Sequence, residues 1–311
     1  MKIIPLSEGA FTVDKTKQFI PFDFDKDKLQ ERNTGSLLVE IQPFIVVTTK
    51  DVLLLDTGLG FTNTNGTLQI HQNLKDNGIN PADVTKVLLS HLHKDHSGGI
   101  SQQKNEEHVL SFANATYYIN KQEFDFALAN TKSSYIIEDF ELLKNSPQSK
   151  FIEGDGVIDG YIKYELTGAH CPYHQVFWIE ENEEKIFFGG DVAPQLQQMK
   201  NKFIAKYDHD GKKSMELRQE WRERGEEENW TFLFYHDTKN PVFKFIIFTK
   251  MARPKKGWPL LTYEKHLMTK IGEFLYYTSF PENFRIMKKE LLTICGENCL
   301  AYCPVYCPVC S

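Results

Sequence analysis

Short apolar stretches separated by turn residues dominate the first 250 positions. They predict β-strands at residues 36–41, 44–48, 52–55, 87–90, 161–166, 175–179, 185–188, 231–235 and 242–248. Stretches of helical character predict helices near residues 67–75, 124–128, 135–143 and 213–224. Groups of strands with interspersed helices occur twice. This pattern indicates an α/β protein in which two sheets pack face to face with helices outside.

The strand pattern fades at about residue 248. The chain has 311 residues, 41% of them hydrophobic, and this is ample for a core. Its formal net charge is −6, yet Lys and Arg outnumber Glu in residues 250–311. We therefore expect one domain over residues 1–248 and a C-terminal extension over residues 249–311 that is loosely ordered or lies outside the core.

Composition also limits the compartment and the partners. The apolar run at the N-terminus is too short for a signal peptide, and no stretch approaches the ~20 apolar residues of a membrane span. Cys171 is the one cysteine before residue 295, and the other five crowd the tail without paired zinc-ribbon spacing. These features predict a cytoplasmic protein without a membrane partner, and the net negative charge argues against a nucleic-acid partner.

The strongest chemical signal is the segment His91-Leu92-His93-Lys94-Asp95-His96, which directly follows a predicted buried strand. Zinc binds about four ligands from His, Asp or Cys at ~2 Å, and this segment supplies imidazole and carboxylate groups. His91 and His93 would diverge on a helix, so the segment suits a tight turn from strand to loop, and Gly98-Gly99 supports such a turn. A solvated, histidine-rich loop is the alternative without function.

Three further metal-competent side chains follow predicted strands. His170 comes after residues 161–166, Asp191 after residues 185–188, and His236 after residues 231–235. A single histidine at a strand end is usually structural. Because the same arrangement recurs four times along the chain, a shared metal site is the better interpretation.

The order HxHxDH, then His, then Asp, then His resembles the metallo-β-lactamase superfamily over residues 1–248, and the spacing is similar to its N-acyl homoserine lactonase branch. The resemblance implies an αββα sandwich with two mixed sheets. It implies that Asp191 bridges two metals, and that Asp56 orients the metal ligands without binding a metal itself. The first metal would be held by His91, His93 and His170, and the second by Asp95, His96 and His236.

The resemblance also implies a chemistry. Two zinc ions, or other divalent metals such as iron or manganese, would share a water and lower its pKa, and the bridging hydroxide would attack the substrate. Asp95 and Asp191 are the expected catalytic residues, with Asp95 positioning the hydroxide and handling its proton. We expect hydrolysis of a small ester-like molecule, a lactone first. The alternatives are a phosphodiesterase or nuclease, an iron-dependent oxygenase, and a non-enzymatic binding protein on this fold.

Several residues near the motifs depart from the family pattern or are expected to serve the structure. Lactonases commonly place a tyrosine three positions beyond the bridging aspartate, where this chain has Pro194, so Tyr173, Tyr207 or Tyr235 would have to substitute. Cys171 is expected to be a buried spectator, and His174 is expected either to support the metal ligands by hydrogen bonding or to be structural. Residues 102–150 are predicted to form a helix-rich, aromatic insert between the first ligand cluster and His170. Its aromatic side chains are expected to pack the insert onto the sheet rather than to line a substrate pocket.

Overall fold

The computed structural model describes residues 1–104, 107–131 and 134–245. The extension predicted for residues 249–311 therefore lies outside the described residues. No described helix combines the length and apolar character that crossing a membrane requires.

The first part of the chain forms a mixed sheet with helices on one face. Its elements, in order, are β1 (Lys2–Pro5), β2 (Gly9–Val13), β3 (Phe19–Pro21), β4 (Leu37–Ile41), β5 (Phe44–Val47), β6 (Val52–Leu55), α1 (Gln69–Asp76), β7 (Lys86–Leu88), α2 (Lys94–Ser97), β8 (Ser101–Lys104), β9 (Glu107–Leu110), β10 (Thr116–Asn120), α3 (Lys121–Ala129), α4 (Ile137–Phe140) and β11 (Ser149–Ile152). The sheet order is β1-β5-β6-β7-β10-β11, parallel from β6 to β11 and antiparallel elsewhere.

The second part forms another six-stranded sheet. Its elements are β12 (Gly156–Ile158), β13 (Ile162–Leu166), β14 (Gln175–Glu181), β15 (Glu184–Phe188), α5 (Leu196–Lys200), α6 (Gly211–Glu227), β16 (Thr231–Leu233) and β17 (Val242–Lys244). The strands follow one another in chain order, and β15 and β16 are the parallel pair. The side chain of Asp210 accepts a hydrogen bond from the Lys213 amide at 2.9 Å and so caps the start of α6.

Three apolar layers hold the two sheets and their helices together. The middle layer lies between the sheets and includes Phe44 and Leu88 from the first and Phe177 and Phe188 from the second. A second layer packs α1, α3 and α4 on the outer face of the first sheet. A third packs α6 on the second sheet through buried tryptophans. The predicted αββα sandwich of two mixed sheets is confirmed.

Two differences from the predicted elements concern the N-terminus and the insert. The strands β1, β2 and β3 were not predicted, although β2 joins β3 and β4 in a small antiparallel sheet. The insert between residues 102 and 150 was expected to be helix-rich, but it contributes β10 and β11 to the first sheet. Its strands β10 and β11 lie directly beside short helical segments, and the whole insert was therefore interpreted as helix-rich.

Candidate metal centre

The ends of strands from both sheets meet at one edge of the sandwich. The strands β6 and β7 run parallel and end before Asp56 and the cluster that starts at His91. In the second sheet β13, β15 and β16 run in the same direction, and their ends precede His170, Asp191 and His236. The structure thus brings all seven predicted ligand residues together.

The histidine cluster is a loop that turns directly into a short helix. His91 lies in the loop after β7, and His93 is the N-cap of α2. Asp95 and His96 then follow on the first turn of that helix. The expected strand-to-loop turn is therefore correct for the first two histidines, while the last two groups of the motif are helical.

One group of possible ligands comprises His91, His93, His170 and Asp191, with one candidate atom of each within 4.8 Å of the others. The Nδ1 atom of His93 lies 3.0 Å from Nε2 of His91 and 3.2 Å from Nε2 of His170. Oδ2 of Asp191 lies 3.2 Å from the same atom of His170. Three ring nitrogens and a carboxylate oxygen therefore converge on one point.

The second group comprises Asp95, His96 and His236. Oδ1 of Asp191 lies 3.1 Å from Nε2 of His96 and 2.9 Å from Nε2 of His236. Oδ2 of Asp95 lies 3.5 Å from the same nitrogen of His236. Asp191 therefore turns one oxygen toward each group, the orientation that a carboxylate between two metals requires.

The polar atoms of the site fit metal ions better than they fit one another. Nε2 of His96 and Oδ1 of Asp191 are buried, and neither has a hydrogen-bond partner although they are neighbours. Buried polar atoms without partners are costly, and native proteins seldom retain them without a reason. Two imidazole-rich groups that share a carboxylate are a donor set suited to divalent transition metals.

The charges of the site point the same way. Burial and the neighbouring imidazoles hold the pKa of His91 and of His93 well below 6.5. Burial also opposes a charge on His96, but Asp191, Asp95 and Asp56 outweigh it and hold the His96 pKa well above 6.5. Burial disfavours the Asp191 carboxylate, yet the surrounding histidines keep its pKa well below 3.8. The carboxylates that favour a proton here would equally favour a metal cation.

Hydrogen bonds at Nδ1, the ring nitrogen on the side away from the site, set the ring orientation of three histidines. Oδ2 of the buried Asp56 lies 2.7 Å from Nδ1 of His96, as the role expected of Asp56 requires. Asp208 lies 2.9 Å from Nδ1 of His170, and the Glu40 carbonyl lies 2.8 Å from Nδ1 of His236. In each case Nδ1 is engaged and Nε2 turns toward the site. Asp208 was missed because a single aspartate in a loop of mixed charge carries no distinguishing pattern.

A buried glutamate that the sequence did not reveal connects two ligand loops. Oε1 of Glu123 accepts hydrogen bonds from the Leu92 amide and the Tyr135 hydroxyl, both at 3.1 Å. Its other oxygen accepts a hydrogen bond from the thiol of Cys171 at 3.4 Å. Leu92 lies between His91 and His93, and Cys171 follows His170, so Glu123 holds both loops. Burial and the Glu123 carboxylate raise the thiol pKa of Cys171, and the buried position expected of this residue is correct.

His174 and Gly190 shape the turn that carries Asp191. Nε2 of His174 accepts a hydrogen bond from the Asp191 amide at 3.2 Å, so its predicted structural role is confirmed. Gly190 has a φ of 46°, and a Cβ there would lie 2.7 Å from that nitrogen. A side chain at position 190 would therefore displace the support of Asp191.

A cavity of about 870 Å³ opens over the metal-ligand side chains. Its wall comes from the β2–β3 turn, the segment before β4 and residues 194–207, whereas the insert's Phe112, Phe124 and Phe140 are buried in the core. The packing role expected for the insert is therefore correct for these residues. Of the three tyrosines considered, Tyr207 lines the cavity, as does Pro194.

Tyr235 has a structural role instead. Its ring stacks on His96 with centroids 4.1 Å apart, and its hydroxyl donates to the Asp95 carbonyl at 2.5 Å. Because it is fully buried, it packs beneath the ligands and has no access to a substrate.

Comparison with known proteins matches this architecture. The N-acyl homoserine lactonase AttM of Agrobacterium fabrum is 30% identical over 141 residues, which is 42% of this chain and 49% of that protein. The chain thus spans about half the length of the curated relatives it matches.

Solved structures extend the likeness to the whole fold. A probable metal-dependent hydrolase from Staphylococcus aureus has a TM-score of 0.64 at 21% identity, with 79% of this chain and 92% of that chain covered. The dizinc quorum-quenching lactonase AidC, in complex with a product, has a TM-score of 0.60 at 19% identity, with 80% and 91% covered. Residues 40–236 match the family model of the metallo-beta-lactamase superfamily, and this chain belongs to that superfamily.

Proposed function

We propose that this protein is a dinuclear metal-dependent hydrolase of small ester-like substrates, with lactones the first choice. The observation that carries the proposal is the two-sided position of Asp191, whose two oxygens face separate groups of imidazoles. A mononuclear site would not need two groups that share a carboxylate. The likeness to lactonases over half their length supports the substrate class.

The proposed ligands divide between two metals, zinc first, with iron or manganese as alternatives. His91, His93 and His170 would hold one ion, Asp95, His96 and His236 the other, and Asp191 both. When bound, such a pair activates water as a nucleophile near neutral pH and polarises the bond under attack. Asp95 borders the cavity. Its carboxylate is therefore the group that we assign to orient the attacking water and to accept its proton.

Residues behind the ligands limit their movement. Asp56 and Asp208 engage Nδ1 of a histidine in each group, so both imidazoles present Nε2 without rearrangement. Glu123 restrains the backbone between His91 and His93. Such preorganisation lowers the cost of binding the metals and of reaching the transition state.

Phosphodiester hydrolysis is the second candidate. The net charge of −6 argues against it, but the charge of the whole chain does not describe the cavity. Lys15, Lys17, Arg32, Lys94 and Lys206 line the cavity beside the proposed ligands. A phosphodiester is anionic, so this lining keeps the alternative open to test.

Metal quantification on the purified chain tests the dinuclear site. After reconstitution with zinc, iron or manganese in turn, we expect two equivalents per chain, and a value of one or none would refute the proposal. His170→Ala should lose metal. His209→Ala is the matched control, since His209 is exposed and belongs to neither group.

A substrate panel tests the reaction. We expect kcat/KM to be highest for acylated lactones among lactones, thioesters and phosphodiesters. Two bound metals with negligible lactone hydrolysis and rapid phosphodiester cleavage would overturn the first choice and support the second.

A further inference from the structure

The cavity over the proposed metal centre is basic although the chain is acidic. Five of its lining residues are cations, namely Lys15, Lys17, Arg32, Lys94 and Lys206. Apart from the proposed ligands Asp95 and Asp191, the lining has one carboxylate, that of Asp14. Bound divalent metals would add further positive charge. The cavity therefore has the opposite sign to the chain as a whole.

None of these cations forms an ion pair among the described residues, although Asp14 attracts Lys15 and Asp139 attracts Lys94 at longer range. Among the described residues, no carboxylate oxygen lies within 4.0 Å of a side-chain nitrogen of any of the five. Lys26 and Lys28, in the segment between β3 and β4, by contrast both form ion pairs. Like charges around one cavity repel one another. A cleft lined by one sign of charge also attracts ions of the other sign. An anionic ligand would account for the arrangement.

Local structure restrains the backbone of Lys17 and the side chain of Lys94. Oδ1 of Asp14 accepts hydrogen bonds from the Thr16 amide at 2.8 Å and the Thr16 hydroxyl at 2.6 Å, so this carboxylate is engaged in the turn. Lys17 is half-buried, and its backbone has a φ of 59°, the left-handed conformation of a tight turn. Lys94 is also half-buried, and its Nζ lies 5.5 Å from the centroid of the Phe19 ring.

Exposed apolar side chains also line the cavity. Leu37 is 40% exposed, Phe203 is 40% exposed and Ile204 is 55% exposed, and all three line it. Exposed apolar groups beside a cleft commonly mark a binding surface. The wall therefore suits a ligand that has both an apolar chain and a charged group.

We infer that the substrate of the proposed hydrolase carries an anionic group, a carboxylate or a phosphate, in addition to the bond that is cleaved and an apolar chain. The inference rests on the proposed function for the identity of the cleaved bond. It rests on the cavity lining alone for the charge of the ligand.

A matched pair of lactones tests the charge preference with the metal-loaded full chain. One is N-hexanoyl homoserine lactone, and the other carries a carboxylate in place of its terminal methyl. A third carries a terminal phosphate and separates the two anion sources. We expect a higher kcat/KM for the anionic lactones. That advantage should shrink as salt rises from about 50 mM to 500 mM, because screening weakens charge attraction.

Lys206→Glu and Lys202→Glu give the residue-level test. Both lysines are exposed and lie in the same segment, but only Lys206 lines the cavity. We expect Lys206→Glu to reduce the ratio of anionic to neutral kcat/KM by about two- to fivefold or more, the effect of one exposed ion pair or its reversal. Lys202→Glu should leave the ratio unchanged.

Calorimetric binding of octanoate, with octanamide as the neutral ligand of the same chain length, measures the charge preference without any hydrolysis. It therefore keeps the anionic-ligand inference separable from the proposed function. Equal kcat/KM for neutral and anionic lactones, with equal octanoate affinity in both lysine variants, would overturn the inference and leave the hydrolase standing. Absence of all hydrolysis with octanoate affinity lowered only in Lys206→Glu would overturn the proposed function and support the anionic ligand.

Discussion

Asp56→Asn is the change that most directly tests how the second group of ligands is held. Asp56 is fully buried, and its Oδ2 lies 2.7 Å from both Nδ1 of His96 and Oγ of Ser90. Oδ1 accepts a hydrogen bond from the Ser90 amide, also at 2.7 Å. Asparagine has the same shape and tolerates the left-handed backbone at this position, where φ is 55°. The substitution therefore changes hydrogen bonding more than packing.

The physical consequence is a change of tautomer. The Asp56 carboxylate accepts a hydrogen bond from the Nδ1–H of His96, so a metal at Nε2 would take the place of the proton on that nitrogen. An amide NH₂ in place of Oδ2 would instead donate to Nδ1 and favour the proton on Nε2. If the asparagine amide instead rotated by 180°, its NH₂ would face the backbone N–H of Ser90. Both groups are donors, so the hydrogen bond from the Ser90 amide would be lost. Neither orientation satisfies both neighbours.

The expected loss is that of a partner behind a metal ligand, about 10- to 100-fold in metal affinity. This corresponds to roughly 1.4–2.7 kcal/mol for the group that contains His96. Unfolding should become easier by about 1.5–3 kcal/mol, because a hydrogen bond to a charged group is lost.

Competition with a chromophoric chelator measures the two affinities separately. Asp56→Asn should weaken one site and leave one tight site. Asp208→Asn is the matched variant, since Asp208 lies 2.9 Å from Nδ1 of His170 in the other group, and it should weaken the other site. Circular dichroism checks that both variants fold. If folded Asp56→Asn bound two metals with unchanged affinity, the tautomer argument would be wrong.

Three further predictions follow from the described contacts. Asp191→Ala should lose metal and reduce kcat by orders of magnitude with little change in circular dichroism, and near-normal turnover would show that Asp191 is not shared. Glu123→Ala should destabilise the protein by about 2–5 kcal/mol in denaturant titrations, since the Leu92 amide and the Tyr135 hydroxyl lose their acceptor. Glu123→Gln keeps that oxygen and should cost much less; equal losses would refute this role. Burial raises the pKa of Glu8 from 4.5 to about 8, so its contribution to stability is present below pH 4.5 and is lost as pH rises toward 8. The difference in unfolding free energy, Glu8→Gln minus wild type, should therefore increase over that range by up to about 1.4 kcal/mol per pH unit, and a flat difference would contradict the shift.

The sequence by itself determined the fold class and the ligand candidates. Strands leave a local signal because apolar runs end at polar or glycine residues, as at Asp56 and at Gly189-Gly190. The ligand candidates stand at these ends, so their positions could be predicted without knowing how the strands are arranged. The insert was predicted less well, because its strands β10 and β11 flank short helices and the helical pattern between them dominated the interpretation.

Only the tertiary structure decided which groups support the ligands and what surrounds them. Asp208 is 38 positions from His170, and Glu123 is 48 positions from Cys171, so no local pattern connects either pair. The charge of the cavity was hidden for the same reason. Its cations come from separate segments, and net charge sums the whole surface while a ligand responds to nearby charges. The burial of a side chain and its distance from others depend on how segments far apart in sequence pack together. A periodic pattern along the chain does not contain that information.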